Sequence, residues 1–515
     1  MLLGDAVELG ARKFGPRPAI IFGERVTTFA ELADRVRRLT GGLLGLAEPG
    51  DRVAILMENR PEFVEAYYGV PMAGMILTFL NYRLNPRELA SIVRDAGATV
   101  LLTEPKYLPA VAAIRDGNPA TKVVVCADEG GDAGDKGGDL TYDELLAGGP
   151  PTAAAPDVSP DDVAWLIYTS GTTGAPKGAM LTHRNLLTAL FSWLIATPPS
   201  DPGDAYFMPF PLCHVAGYGV PGYALRGTTL VLRPTYEPGE FLTAVARHGV
   251  TGTPMAPTML NMLLAHPELD NHDLSSLRTI AYGASSMPVE VLRAAMHRFP
   301  DAQFVQGFGM TELSGNVLFL DPASHVEAMR RPELLAAAGR PMPLADVRVV
   351  DDALSDVPTG EVGEIVVRGD QVMKGYWNNP AATTEAFAGG WFHSGDLARV
   401  DEEGYVYVVD RKKDMIVTGG ENVYSRQVED VLYTHPAVAE AAVVGIPDVH
   451  WGETVCAVVV LRPDAHVTAE EIVALCRDQL AGYKKPRRVA FVDELPKNAS
   501  GKVLKRELRT TLTTP

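Results

Sequence analysis

Residues 168–178 read Tyr168-Thr169-Ser170-Gly171-Thr172-Thr173-Gly174-Ala175-Pro176-Lys177-Gly178. A strand-like apolar run, Val163 to Tyr168, leads into them. A helix-like segment follows from Thr182, with Leu186, Leu187, Leu190, Phe191 and Leu194 on one face. The stretch is therefore a loop between two buried elements. Four hydroxyls, three glycines and one lysine make it a surface of small donors on an unencumbered backbone. Glycines let main-chain N–H groups approach a phosphate and a lysine adds a point charge, so the simplest ligand is a polyphosphate. A Walker-type loop ends in Gly-Lys-Ser/Thr, whereas Lys177 follows Pro176 and precedes Gly178. The phosphates would be held by some other architecture. Taken alone, the same composition also suits a surface linker.

A chain of 515 residues is too long for one ordinary core, so two or more compact units are expected. With 46% hydrophobic and 21% charged residues it reads as globular rather than disordered. A net charge of -18 argues against a general nucleic-acid or anionic-membrane binder. From Lys484 onward nine basic residues face three acidic ones, which makes either a solvated face or a surface for anionic ligands. Cys126, Cys213, Cys456 and Cys476 lack disulfide or metal spacing, as in a reducing compartment. The start carries no basic region before a long apolar run, no apolar stretch spans a bilayer, and the last residues are not a peroxisomal address. The expectation is a cytoplasmic protein without integral membrane association.

Residues 1 to about 115 alternate helix-like segments (Phe29 to Leu44, Glu62 to Gly69, Pro86 to Ala96) with apolar runs such as Val53 to Met57 and Thr99 to Leu102. That alternation predicts α/β layers with largely parallel strands. Thr28 is placed to cap the first of these helices. From Gly117 to Asp162, Gly, Ala, Asp and Pro dominate, and the outer portion around Gly130 to Asp135 is expected to be a mobile connection. A second α/β unit is expected from about Val163 to Leu320, and a small β-rich subdomain between about Gly339 and Asp410. The resulting fold class is α/β: a large N-terminal domain, residues 1–411, followed by a small mobile α+β domain, residues 412–515. In the latter, Thr468 and Glu471 form a capping-box pattern, Ile472, Leu475, Cys476 and Leu480 a stripe, and Gly482 a stop.

Five further stretches carry chemistry. Gln306-Gly307-Phe308-Gly309-Met310-Thr311-Glu312 sets an aromatic face between glycines, able to stack on a purine, with a carboxylate close by. Magnesium favours a carboxylate together with substrate phosphates, which gives Glu312 a task. In Ser394-Gly395-Asp396, the two oxygens of one carboxylate match two neighbouring ribose hydroxyls, although an exposed turn would contain the same residues. Tyr282-Gly283-Ala284-Ser285 ends a strand-like run, where α/β sheets admit ligands. His214 sits in a mostly apolar run with Phe210 and Tyr218, where a lone histidine is more often a satisfied core residue than a ligand. Lys502 stands on a Ser-Gly turn, elsewhere a common surface feature.

Together these motifs, in this order over roughly residues 20 to 510, closely resemble those of the adenylate-forming superfamily of acyl-CoA synthetases, carrier-loading adenylation domains and luciferases. The resemblance implies an ATP/AMP site made by Thr169, Ser170, Gly171, Thr172, Thr173, Gly174, Lys177, Gly283, Ala284, Ser285, Gln306, Gly307, Phe308, Gly309, Met310, Thr311, Asp396, Arg411 and Lys502. It implies Glu312 as the Mg2+ ligand and Lys502, Thr172, Lys177 and Glu312 as catalytic residues, with Lys413 as the hinge. Phe210, His214, Tyr218, Gly283, Phe308 and Gly309 would line the acyl pocket, and Gly419, Gly420 and Glu421 the coenzyme A channel. Three positions depart from the family pattern: Phe308 stands for tyrosine, Ser394 for threonine and Ser425 for a common proline.

The implied activity is an ATP-dependent acid–CoA ligase that forms an acyl-adenylate and then a thioester. Its partners are a small carboxylic acid, aliphatic or aryl-propenoic, and coenzyme A, without nucleic acid. A homodimer is compatible with the resemblance. Transfer to a carrier-protein thiol, transfer to a non-thiol nucleophile, and a non-enzymatic nucleotide-binding regulator stay open at this point.

Overall fold

A computed structural model describes residues 1–126, 138–155, 157–169, 176–283, 285, 287–497 and 503–513. The strand expected before the opening loop is Val163–Thr169. The chain then forms a second strand, Lys177–Thr182, before the helix His183–Ala196. The two strands pair antiparallel, Thr169 opposite Lys177 and Ile167 opposite Ala179. Lys177 is thus a strand residue. Gly178-Ala179-Met180-Leu181 has no β-branched residue, so the sequence gives little strand signal there.

This hairpin lies in a sheet ordered Gly375–Tyr376, Lys177–Thr182, Val163–Thr169, Ile76–Phe79, Arg52–Leu56, Ala98–Thr103, Lys122–Val125, Leu140–Thr141. Its centre is parallel and covered on both faces, so Val53, Ala54, Ile55 and Leu56 are all fully buried. A second sheet runs Arg340–Pro341, Gly315–Leu320, Gln303–Met310, Thr279–Gly283, Val250–Met255, Ala205–Met208, Thr229–Leu232, Pro18–Phe22, Arg25–Thr28.

The α/β units therefore interleave. The N-terminal strand pair completes the later sheet, and the hairpin at 163–182 completes the earlier one, so the expected boundary near Val163 does not divide the sheets. Parallel strands are joined by crossovers, so sheet neighbours need not be neighbours in sequence. Lys122–Val125 and the helix Tyr142–Ala147 also pack within the Gly- and Ala-rich segment, burying Tyr142, Leu145 and Leu146. Gly130 to Asp135 fall outside the described residues.

The helix Pro61–Met72 is buried on every side. Tyr67 packs on Trp165 at 4.6 Å between ring centres, and its hydroxyl donates to the Leu212 carbonyl, tying the first sheet to the second unit. Two glutamates on this helix are buried and paired: Glu65 with Arg35 at 2.6 Å and Tyr142 at 2.8 Å, Glu62 with Arg60 at 2.7 Å. Phe29–Leu44 is capped as expected, Thr28 Oγ1 accepting from Glu31 N and Glu31 Oε2 from Thr28 N.

The β-rich unit is an antiparallel sheet of Asp346–Val350, Gly363–Arg368, Phe392–Val400 and Val406–Arg411. After Arg411 the chain enters a further sheet made from Ile416–Thr418, Glu421–Val423, Val438–Asp448, Gly452–Leu461 and Arg488–Phe491. Helices Ser425–Tyr433, Ala469–Gln479 and Lys505–Thr513 pack with it. The Thr468–Glu471 capping box is present, but the helix stops at Gln479 with extended Leu480, short of Gly482.

Candidate active site

Glu312 reaches the Thr169–Lys177 end of the hairpin from the second sheet. The strand Gln303–Met310 gives way to one 3-10 turn, Thr311–Leu313, closed by Ser314 at φ 55°. Thr169 Oγ1 donates to Glu312 Oε1 at 3.2 Å, and Tyr376 OH donates to the same oxygen at 3.1 Å. Lys177 Nζ lies 5.1 Å from the centre of the Tyr376 ring, within cation–π range. Burial, followed by the Glu312 charge, raises the pKa of the Tyr376 phenol above its ordinary value, so it stays a donor.

Magnesium takes one or two carboxylates and completes its shell from phosphates and water. The Glu312 carboxylate and the Thr169 hydroxyl beside it are oxygen donors of that kind. Among the described residues no group of three or more His, Cys, Asp or Glu could hold a metal by itself. Ser170, Gly171, Thr172, Thr173, Gly174, Ala284 and Lys502 lie outside the described residues.

Gln306, Gly307, Phe308, Gly309, Met310 and Thr311 are all half-buried, a lining rather than a core. Gly283 pairs with Gly307, and a Cβ on Gly283 would come 2.4 Å from the Gly307 carbonyl. A Cβ on Gly309 would come 1.9 Å from the Gly315 carbonyl. Both glycines are demanded by backbone approach, whatever ligand they also admit. Ser285 is exposed.

The wall expected for the acyl group joins the same turn through Tyr218, whose ring lies against Gly315. Phe210 and Phe308 are half-buried and pack on the same core. Asn59 holds this segment, donating to the Phe210 carbonyl at 2.9 Å and accepting from Leu212 N at 2.7 Å. His214 Nε2 is buried and has no hydrogen-bond partner among the described residues. Burial, aided by the Arg83 charge, pushes the His214 pKa down to about 4, so the ring is neutral at pH 7.

Asp396 and Arg411 are opposite one another on neighbouring strands, and Arg411 Nε meets Asp396 Oδ1 at 2.7 Å. Beyond them, Lys413 is exposed. Across this junction, Ser425 donates to Asp410 through both its N–H and its hydroxyl, and Arg426 donates to the Val408 carbonyl at 3.0 Å. Lys505 reaches Ser425 Oγ and, at 2.7 Å, Glu429. Gly419 and Gly420, at φ +61° and +86°, form an exposed hairpin turn that ends at Glu421.

The family model described as AMP-binding enzyme matches residues 7–377, and that of the AMP-binding enzyme C-terminal domain matches residues 427–502. The chain belongs to the AMP-binding enzyme family. This AMP-binding enzyme is 42% identical over 498 residues to the feruloyl-CoA synthase of an Amycolatopsis species, covering 95% of each chain. It is 35% identical to a long-chain-fatty-acid–CoA ligase of Bacillus subtilis, covering 97% of this chain and 92% of that one. Its fold matches the crystal structure of the anthranilate CoA ligase AuaEII in complex with anthranoyl-AMP, with a TM-score of 0.88 at 28% identity, over 100% of this chain and 97% of that one.

The sequence of this AMP-binding enzyme does not mark Tyr376 as a site residue. The available signal was a glycine followed by two aromatics and a helix-capping Asn379-Pro380, which does not specify a site. The paired strand brings Tyr376 to Lys177; nothing in the local pattern does.

Proposed function

We propose that the chain is an ATP-dependent acid–CoA ligase acting on an aryl-propenoic acid. One observation carries it: Thr169, Lys177 and Glu312 converge around Tyr376, a cation, a hydroxyl and a carboxylate suited to a metal-bound triphosphate. The aryl choice is supported by higher identity to the feruloyl-CoA synthase than to the fatty-acid ligase, 42% against 35%. A fatty acid is the second reading, on the strength of that ligase.

In the first half-reaction the substrate carboxylate attacks the α-phosphorus of ATP, the bond to the bridging oxygen breaks, and pyrophosphate leaves. No side chain acts as nucleophile, so the protein positions groups and neutralises charge. Lys177 and Thr172 hold the leaving phosphates, while Glu312 would hold Mg2+, which would stabilise negative charge on the phosphate oxygens. Lys502 bridges the substrate carboxylate and the α-phosphate, as the family resemblance implies. Asp396 and Arg411 take the ribose, and Gly283, Ser285 and Gln306 to Thr311 border the adenine. Phe210, His214 and Tyr218 wall the acyl group, with His214 neutral beside the carboxylate end.

In the second half-reaction residues 412–515 turn about Lys413, withdraw Lys502 and bring Gly419, Gly420 and Glu421 to the site. The thiol of coenzyme A then attacks the acyl carbonyl and AMP leaves. The test is acid-dependent pyrophosphate release over a panel of aryl-propenoic and aliphatic acids, followed by AMP release on adding coenzyme A. ATP binding with no acid-dependent pyrophosphate release rejects the ligase. Stronger turnover of long aliphatic acids moves the substrate to the second reading.

A further inference from the structure

Lys177 and Glu312 carry opposite charges at the edge of one site, yet among the described residues neither has an ion-pair partner. Each instead engages a different part of Tyr376. The ammonium lies over the ring at 5.1 Å, and the carboxylate accepts from the hydroxyl at 3.1 Å. Left to themselves in a half-buried site, such charges attract strongly. A Lys–Glu pair here would occupy the two groups proposed to receive the nucleotide.

The ring is held relative to both charges by its backbone. Met373 N donates to the Glu312 carbonyl at 2.8 Å, fastening this segment to the turn that carries the carboxylate. Lys374 N donates to Met180 O at 2.9 Å and Trp377 N to Gly178 O at 2.7 Å, fastening it to the strand that carries the lysine. Tyr376 N itself donates to Thr383 Oγ1 at 2.9 Å. The backbone that carries the ring therefore cannot shift toward either charge without breaking these bonds.

We propose that Tyr376 is a positioning residue that stands between Lys177 and Glu312, keeps them from neutralising one another before nucleotide arrives, and so leaves the lysine for phosphate and the carboxylate for the metal. This rests on the roles proposed above for Lys177 and Glu312. Two properties are separable. The ring acts as a spacer and cation–π surface for Lys177. The hydroxyl aims Glu312.

The test measures ATP binding by calorimetry in EDTA, so that Lys177 is probed without metal, and then the magnesium dependence of pyrophosphate release. Tyr376→Leu removes the spacer and is expected to weaken metal-free ATP binding about tenfold, as the lysine is captured by Glu312. Adding Glu312→Gln to Tyr376→Leu is expected to restore binding to the level of Glu312→Gln alone. Tyr376→Phe keeps the ring, so metal-free binding stays within about twofold, while the magnesium needed for half-maximal release rises several-fold. Wild-type metal-free binding by Tyr376→Leu, or a loss that persists undiminished with Glu312→Gln, would overturn the proposal. If Tyr376→Leu does not fold, an unchanged magnesium requirement in Tyr376→Phe overturns it equally. Lys177→Ala separates the two levels: unchanged metal-free binding there removes the role of Lys177 itself, independently of Tyr376.

Discussion

Arg411 holds its Nε 2.7 Å from Asp396 Oδ1, directly across two antiparallel strands, and Asp396 is only 4% exposed. The pair joins the two residues proposed to meet the ribose. Asp396→Ala removes the carboxylate and leaves the guanidinium without this partner, so KM for ATP is expected to rise about tenfold or more, with a smaller fall in kcat. Pyrophosphate-release kinetics at saturating acid check it. A fall in kcat with KM unchanged would place Asp396 elsewhere than on the nucleotide.

The division of labour between the lysines is tested by half-reactions. Lys502→Ala is expected to abolish adenylation while sparing thioester formation from supplied acyl-adenylate. Equal loss of both steps contradicts a role confined to activation.

Lys413→Pro addresses the hinge. Proline fixes φ and restricts the preceding residue, so the rotation should fail while acid-dependent pyrophosphate release stays measurable. An unimpaired overall rate rejects the assignment. The contacts from Ser425 and Arg426 to Asp410 and Val408 cross the same junction, so rotation must break them.

Glu65 is fully buried and held by Arg35 and Tyr142. Arg35→Ala leaves that carboxylate without its cation and is expected to cost about 3–5 kcal/mol, read from urea unfolding. Replacing both members by Leu and Met should cost less, because no buried charge is then stranded. A cost within experimental error for Arg35→Ala would show that Glu65 is already neutral.

His325 supplies a pH prediction. Its ring is buried between Tyr282 OH at 2.9 Å and the Asp321 carbonyl at 2.8 Å, and burial lowers its pKa from 6.5 to about 4. A group depressed on folding contributes stability above its unfolded pKa and loses it as pH falls through the folded value. The thermal midpoint should therefore decline from pH 6.5 towards about 4, and His325→Gln should flatten that decline. Identical profiles for the two proteins would refute the assignment.

Much of this fold could be read along the chain because local rules agree with it. Phe29–Leu44 and Pro86–Ala96 start at capping residues and end where expected, and the apolar runs around Val53 and Thr99 are the central strands. Glu312 stands out along the chain because carboxylate, hydroxyl and glycines sit together in one motif, whereas its hydrogen bond from Thr169 is visible only in the fold. Pairing was what remained hidden. Lys177–Thr182 has too little β character to declare itself, and the placement of Tyr376 depends on a two-residue strand formed with Ala179 and Met180. Which sheet a strand joins is decided by crossovers and mutual burial, which periodicity along the chain does not record.

The interleaved sheets also constrain how the protein is made. During vectorial synthesis the strand at Ile20 leaves the ribosome long before Leu230, its parallel neighbour, exists, and the first sheet keeps an open margin until Tyr376 has emerged. Pairings so distant form slowly and leave unpaired edges exposed in the meantime. Neither sheet can therefore close behind the ribosome as its first strands emerge, and the first gains its last strand only once Tyr376 is free.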